Sequence, residues 1–330
     1  MTVEFPPNTT ARTARSEART VIDPQPRSGL VRTVTRAIGH GIDYALVRLT
    51  MAAFGMMSPE AAGARSARLM GAIGPRLSVH RKALRNLARA FPDRSEAERQ
   101  RIMAGVWDSV GRTYGEYAHL GRFDFFGPNP RVEIIGMDTV ERLIALNKGG
   151  LFLSGHFANW ELMPRAMVAA GLPCATIVRP VNNALVQDYL DGIRRAHVCP
   201  DMIYKRSAMP RLVRALRAGK FVAMLVDQRM DEGISVPFFG QQALTNHAPA
   251  LLALKLGCPL IPAWIERTGP ARYALHVFEP LEIVPSGDVQ ADVLDITTRM
   301  NAFLEDRIRA RPEQWMWLHN RWAGRKKVSR

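Results

Sequence analysis

The sequence predicts an α/β fold: a mostly parallel central sheet flanked by helices, with an N-terminal helical region. Three observations carry that expectation. From residue 150 onward, short apolar runs of strand length alternate with amphipathic segments of helix length. Residues 30 to about 120 carry helical spacing instead. A chain of 330 residues with 47% hydrophobic content also has enough apolar material for a sizeable core.

The first 28 residues are polar and Pro-containing, with Arg12, Arg15, Arg19 and Arg27. They lack the apolar centre of a secretory signal and read as a disordered basic tail. A helical region is expected over 29–126. Within it, 42–57 is the most apolar stretch, interrupted by Asp43 and Arg48 and flanked by Arg32 and Arg36. Two readings stand: a basic amphipathic helix at a membrane interface, or a core helix burying Met51, Phe54, Met56 and Met57. No uninterrupted apolar run of about 18 residues occurs. Leu84, Leu87 and Phe91 make one face of a helix that Pro92 stops. Asp93-Arg-Ser-Glu opens the next, through Ile102, Val106, Trp107 and Val110.

An α/β domain is expected over 127–322. Asn129-Pro130 breaks the chain before the alternating strand Arg131-Val-Glu-Ile-Ile. Further strands are expected at 150–154, 174–178, 221–226, 259–265 and 272–278, with helices at 158–170, 184–196, 207–218 and 246–256. The last two strands are separated by six residues and should pair antiparallel. A final helix, about 289–310, precedes a Trp-rich segment and a basic tail, 323–330.

The most informative stretch is 149–161, Gly-Gly-Leu-Phe-Leu-Ser-Gly-His-Phe-Ala-Asn-Trp-Glu. It reads as strand, tight turn and helix, with His156 at the turn and Glu161 further on. Two residues five apart within one helix point about 140° apart, so they meet only if His156 precedes the helix. Spacing alone is cheap: eight histidines and 30 acidic residues give less than one His-x4-acid match by chance, and two exist. The other, His119 with Asp124, follows a helical pattern and lacks the small-residue turn. For His156 a catalytic base held by Glu161 and a buried structural histidine both stand. As a base, the ring would be kept neutral by the helix amino end while Glu161 held one nitrogen. G-x-S-x-G and H-E-x-x-H are both absent, which disfavours a serine hydrolase and a metalloprotease.

The formal charge of +15 implies an anionic partner. Nucleic acid is disfavoured because no zinc-finger spacing, RNA-binding aromatic signature or basic helix with a dimer seam occurs. Cys174, Cys199 and Cys258 are isolated, which suggests a reducing compartment and neither a disulfide framework nor a metal cluster. Arg179 follows one apolar strand and Asp227-Gln228-Arg229 another, which would bring them to the sheet edge of His156. An Arg there can grip a phosphate or stabilise an oxyanion. Val236-Pro-Phe-Phe-Gly240 reads as an apolar loop that either lines an acyl-chain groove or caps the core. The segment 311–322, with Trp315, Trp317 and Trp322, reads as an interfacial aromatic belt or as a chain end packed on the core.

His156-Phe-Ala-Asn-Trp-Glu161 resembles the H-x4-(D/E) motif of the lysophospholipid acyltransferase superfamily. The surrounding Leu-Ser-Gly-His-Phe-Ala-Asn-Trp-Glu-Leu is similar to the late acyltransferases of lipid A biosynthesis. Arg179-Pro-Val-Asn-Asn, Asp227-Gln228 with Val236-Pro-Phe-Phe-Gly240, and Pro-Glu-Gln-Trp-Met-Trp-Leu-His-Asn-Arg-Trp322 agree in order. The resemblance spans roughly residues 35–322. It implies a glycerol-3-phosphate acyltransferase-like fold and transfer of an acyl chain from an acyl carrier protein thioester to a hydroxyl of a lipid A precursor. His156 would be the general base and Glu161 would orient it. Asn159, Arg179, Asn182, Asp227, Gln228, Arg229, Phe239 and Gly240 would contact substrate, without metal or cofactor. It further implies work at the cytoplasmic face of an inner membrane, peripherally or by a weak N-terminal anchor. Two rivals remain: the same chemistry on another envelope glycolipid or phospholipid, and a non-catalytic basic protein that binds membrane or nucleic acid.

Overall fold

A computed structural model describes residues 28–146, 148–205 and 208–322, with side chains from residue 38. The basic tails expected at 1–28 and 323–330 lie outside the described residues except for Ser28, as do the side chains of Arg32 and Arg36.

Four helices come first: α1 (Ser28–Gly55), α2 (Pro59–Ile73), α3 (Ser78–Ala90) and α4 (Glu96–Glu116). Local chemistry sets their starts. Ser58 accepts from the Ala61 N–H before Pro59, and Ser95 forms a reciprocal capping box with Glu98. The α2–α4 contact is close because a Cβ at Gly115 would stand 2.4 Å from the Ala62 carbonyl oxygen. The α/β part follows as β1 (Val132–Ile135), α5 (Met137–Ala145), β2 (Leu151–Ser154), α6 (Leu162–Ala169) and β3 (Cys174–Val178). It continues through α7 (Ala184–His197), β4 (Asp201–Tyr204), α8 (Ala208–Arg217), β5 (Phe221–Leu225), β6 (Ile234–Phe238) and β7 (Gln241–Thr245). The described fold closes with α9 (Ala248–Leu256), β8 (Leu260–Gly269), β9 (Arg272–Val277) and α10 (Val289–Ala310).

Seven strands form one sheet in the order β1-β9-β8-β2-β5-β3-β4. Every neighbouring pair is parallel except β8 with β9, the antiparallel pair expected from their short connection. β2 is buried throughout at the centre, which explains its unbroken apolar run. The helical region is not a separate layer: Leu87, Met103 and Trp107 belong to the same continuous core as the sheet.

Three expectations change. The strand β4 is additional: four residues at the sheet edge carry too weak a pattern to announce it. The loop expected at 236–240 is instead half of a hairpin, β6 with β7, joined by Phe239-Gly240. Both residues have positive φ, +52° and +70°, as a two-residue hairpin of right-handed twist requires. The Phe239 ring packs on Phe91, Trp317 and Trp322, so this loop caps the core. The Trp-rich segment is likewise core and not an interfacial belt, since Trp315, Trp317 and Trp322 are buried. Arg321, fully buried, donates to the Leu244 carbonyl, Thr245 Oγ1 and Asn301 Oδ1, tying the segment to β7 and α10. Burial pulls its pKa down to about 10.

Candidate active site

The carboxyl ends of β2, β3, β4 and β5 face the same side of the sheet because these strands are parallel. His156 leaves β2 there, and Asp227 follows β5. The two meet: the His156 backbone N–H donates to Asp227 Oδ2 at 2.8 Å, and Nδ1 stands 2.8 Å from Oδ1. Trp315 Nε1–H donates to Oδ2 at 2.7 Å. Burial alone would raise the Asp227 pKa, but the electrostatic pull and hydrogen bonds of His156 outweigh it, holding the carboxyl well below the usual range. An ionised carboxylate only accepts, so Nδ1 carries the proton and Nε2 bears the lone pair. Gln228 Nε2 lies 3.3 Å from that lone pair and is its donor.

The turn that permits this is specific. A Cβ at Gly155 would stand 2.8 Å from the Phe157 ring and 3.2 Å from the Asp227 Cβ, so a larger residue would push the carboxylate away. Beyond it the chain does not enter a helix at 158 as expected, and α6 starts only at Leu162. The loop 156–161 is fastened from both sides. Met316 N–H donates to the His156 carbonyl at 3.0 Å, and Ala158 N–H to the Gln314 carbonyl at 2.8 Å. Thr113 Oγ1 donates to the Ala158 carbonyl at 2.9 Å. These contacts hold Ala158 at φ +41°, a conformation that non-glycine residues rarely adopt.

Glu161 turns the other way. Its carboxylate takes Arg194 of α7 through Nε at 3.0 Å and Nη2 at 2.7 Å. Burial would lower the Arg194 pKa, yet the charge of Glu161 prevails and raises it. The acid oriented on the imidazole is therefore Asp227, not Glu161. Glu161 is the cap residue of α6, and from there its side chain faces α7.

The other expected residues divide. Arg179 and Gln228 join His156 around a cavity of about 490 Å³. Asn159 faces inward: its amide donates to Glu116 Oε2 at 3.2 Å, beside the buried Glu116–Arg267 ion pair, which Tyr273 also joins. Asn182 is exposed, while its neighbour Asn183 caps α7 and donates to the His40 carbonyl at 2.8 Å. Arg229 pairs with Asp231 at 2.7 Å and does not line the cavity. Phe239 and Gly240 sit at the hairpin tip, on a different pocket with Phe91 and Arg309.

Sequence reasoning missed Met209, Leu212, Met224 and Met230, which make the cavity apolar, and Lys205 at its rim. Lys205 follows the unannounced β4, so nothing placed it on this edge. Trp315 was singled out as an aromatic but not as a partner of Asp227. His319 also escaped notice: its ring lies 6.3 Å from that of His156, and both its nitrogens are buried without a hydrogen-bond partner among the described residues. Burial and the nearby His156 push its pKa down to about 4 against the opposing pull of Asp227.

An imidazole beside a cavity lined largely by apolar side chains suits acyl transfer, and the relatives are of that class. Residues 34–324 match the family described as bacterial lipid A biosynthesis acyltransferase, and the chain belongs to it. It is 29% identical to a lipid A biosynthesis lauroyltransferase of Escherichia coli K12, over 73% of this chain and 78% of that one. It is 28% identical to a lipid A biosynthesis myristoyltransferase of the same organism, over 77% of this chain and 78% of that one. A phosphatidylinositol mannoside acyltransferase of Mycobacterium tuberculosis (strain CDC 1551 / Oshkosh) is 25% identical over 72% of this chain and 75% of its own length. The protein is accordingly an acyltransferase.

Proposed function

We propose that the protein moves a fatty acyl chain from a carrier-protein thioester to a hydroxyl of a lipid A precursor, with His156 as general base and Asp227 as the group that orients it. The observation that carries this reading is the His156–Asp227 pair opening onto the apolar cavity. Nε2 takes the proton of the acceptor hydroxyl as its oxygen attacks the thioester carbonyl carbon. The carbon–sulfur bond then breaks, the imidazolium returns the proton to the leaving thiolate, and an ester and a thiol result. Gln228 holds the place where the hydroxyl must arrive, so it moves aside on binding and can turn its amide to the developing oxyanion. The cavity formed by Ile177, Met209, Leu212 and Met224 accommodates the acyl chain. Three methionines in its lining, Met209, Met224 and Met230, suit a flexible alkyl ligand.

A +15 chain suits an acidic carrier protein and a phosphorylated acceptor. Among the described residues no helix is long and apolar enough to cross a membrane. What supports seating on an inner-membrane surface is α1. Ile38, Ile42, Leu46 and Leu49 form one stripe, each between 56 and 68% exposed. The stripe's helix docks on α7 through Asn183 and the Tyr44–Tyr189 ring contact, beside the loop that follows Arg179.

The test is acyl transfer by purified His156→Ala, expected to fall about 10²- to 10⁴-fold with unchanged folding. Near-normal turnover would end the general-base reading. The similarity to a mannoside acyltransferase favours one alternative, a different glycolipid acceptor. Mass spectrometry of lipid A from a deletion strain separates the two: a lost acyl chain supports the lipid A acceptor, and an unchanged acyl count moves the reaction to another glycolipid.

A further inference from the structure

With His156 as the base, a reading on which this inference rests, we propose that Arg267 is a positioning residue: it joins Glu116 to Gln314 and so closes a circuit of contacts around the loop that carries His156. β8 pairs with β2 only through Leu260–Pro262, so its far half runs past the end of β2. On that side the Arg267 backbone has no strand to bond, and the Gln314 side chain takes the place of one. The Arg267 N–H donates to Gln314 Oε1 at 2.7 Å, and Gln314 Nε2 donates to the Arg267 carbonyl at 3.0 Å. Gln314 in turn begins a two-bond antiparallel bridge to the loop. Its carbonyl accepts from the Ala158 N–H, and two residues on the Met316 N–H donates to the His156 carbonyl. Between them lies Trp315, which reaches Asp227. The register of this bridge therefore sets both the base and the carboxylate that orients it.

The Arg267 side chain closes the circuit from the other direction. Its guanidinium pairs with Glu116 at the end of α4 through Nη1, and through Nη2 at 3.2 Å. The Tyr273 hydroxyl and the Asn159 amide donate to the same carboxylate. Four donors on two oxygens are about what a carboxylate accepts, so Glu116 is fixed in one place. Burial, joined by the Glu116 charge, pushes the Tyr273 phenol well above its ordinary pKa, so it stays a donor. Two adjacent loop residues are thus gripped by different means. Ala158 is held through its backbone by Gln314, Asn159 through its side chain by Glu116, and both paths end on Arg267. Ala158 is also where the backbone is strained, at φ +41°. Such strain persists only where the surroundings over-determine it. A buried ion pair adds little net stability over apolar side chains of similar volume. What this pair supplies is a single conformation of the loop behind His156.

The experiment is a double-mutant cycle against His156. Gln314→Met keeps the side-chain length and removes both bonds to the Arg267 backbone. Glu116→Leu/Arg267→Met/Tyr273→Phe removes the buried charges together, so no uncompensated charge is left to unfold the protein. Each is made in the wild type and in His156→Ala, and turnover is measured per folded protein. With His156 present, each should lower kcat about 10- to 100-fold, the cost of displacing a catalytic group by up to about 1 Å. KM should stay within about twofold, because the acyl cavity is untouched. In His156→Ala neither change should cost anything further, since the loop no longer carries a base. An unchanged kcat in either folded variant overturns the positioning role. So does a fall that persists undiminished in His156→Ala, which would leave the network purely structural. Near-normal turnover by His156→Ala itself ends the general-base reading and the positioning role with it. Loss of turnover by His156→Ala with fully additive network effects ends the positioning role alone.

Discussion

Two carboxylates near one histidine divide their labour by where the backbone points them. Asp227 receives three hydrogen bonds on two oxygens, two from His156 and one from Trp315, which hold its carboxylate against the imidazole. Replacing it by Asn reverses the tautomer preference of the ring, and we expect a loss of roughly 10³- to 10⁴-fold in kcat, as for the analogous change in a serine-protease triad. Glu161→Gln should instead remove the nearer of Arg194's two carboxylate partners, leaving Asp191 at 3.9 Å, at a cost of about 1–3 kcal/mol of stability. Its activity loss should then track the fall in Tm. Measuring kcat and Tm on both variants separates the roles, and a stable Glu161→Gln as inactive as Asp227→Asn would return Glu161 to the chemistry. His319 supplies a pH signature. Its folded pKa, about 4, lies below the usual value of about 6.5, so below that value the unfolded chain binds a proton that the fold refuses. Stability should therefore drop as pH falls from about 6.5 to 4, by up to about 3 kcal/mol, and Asp227 adds a further loss at lower pH. Chemical denaturation across that window checks it, and His319→Gln should flatten the slope.

At the scale of elements, the site depends on a loop clamped between α4 and the segment 312–319. Trp315→Phe keeps the ring and removes the indole N–H from a buried carboxylate, so we expect a destabilisation of about 1–3 kcal/mol. The same change should raise the Asp227 pKa and move the acid limb of the pH–rate profile upward. An unmoved limb would reduce Trp315 to a packing residue. The elements also show what the sequence could announce. The helix expected at 289–310 is α10 to the residue, since an Asp288 cap and an apolar stripe are local signals. The hairpin was hidden because Pro237 interrupts one strand and a phenylalanine occupies a turn position that favours Gly or Asn. His156, Arg179 and Asp227 were legible as strand-end residues. The pairing of His156 with Asp227, 71 positions apart, was not, because only the sheet order brings β2 beside β5.

On the scale of the whole molecule, charge and apolar exposure fall on a shared design. The stripe on α1 lies on a helix that docks beside the loop following Arg179, so a bilayer touching one stands close to the cavity rim. We expect that Ile42→Ser/Leu46→Ser/Leu49→Ser leaves the unfolding free energy within about 1 kcal/mol of the parent, because these positions are exposed. The same variant should lose most co-sedimentation with anionic phospholipid vesicles, and undiminished binding would place the contact elsewhere. The clamp around the site has one more consequence, in the order of synthesis. Residues 312–322 leave the ribosome after every strand of the sheet, yet they carry Trp315, which completes the Asp227 environment, and Arg321, which locks the segment down. A nascent chain can thus assemble its sheet and cavity while its base is still loosely held. Competence therefore arrives as a final fastening, when residues 312–322 close over the sheet.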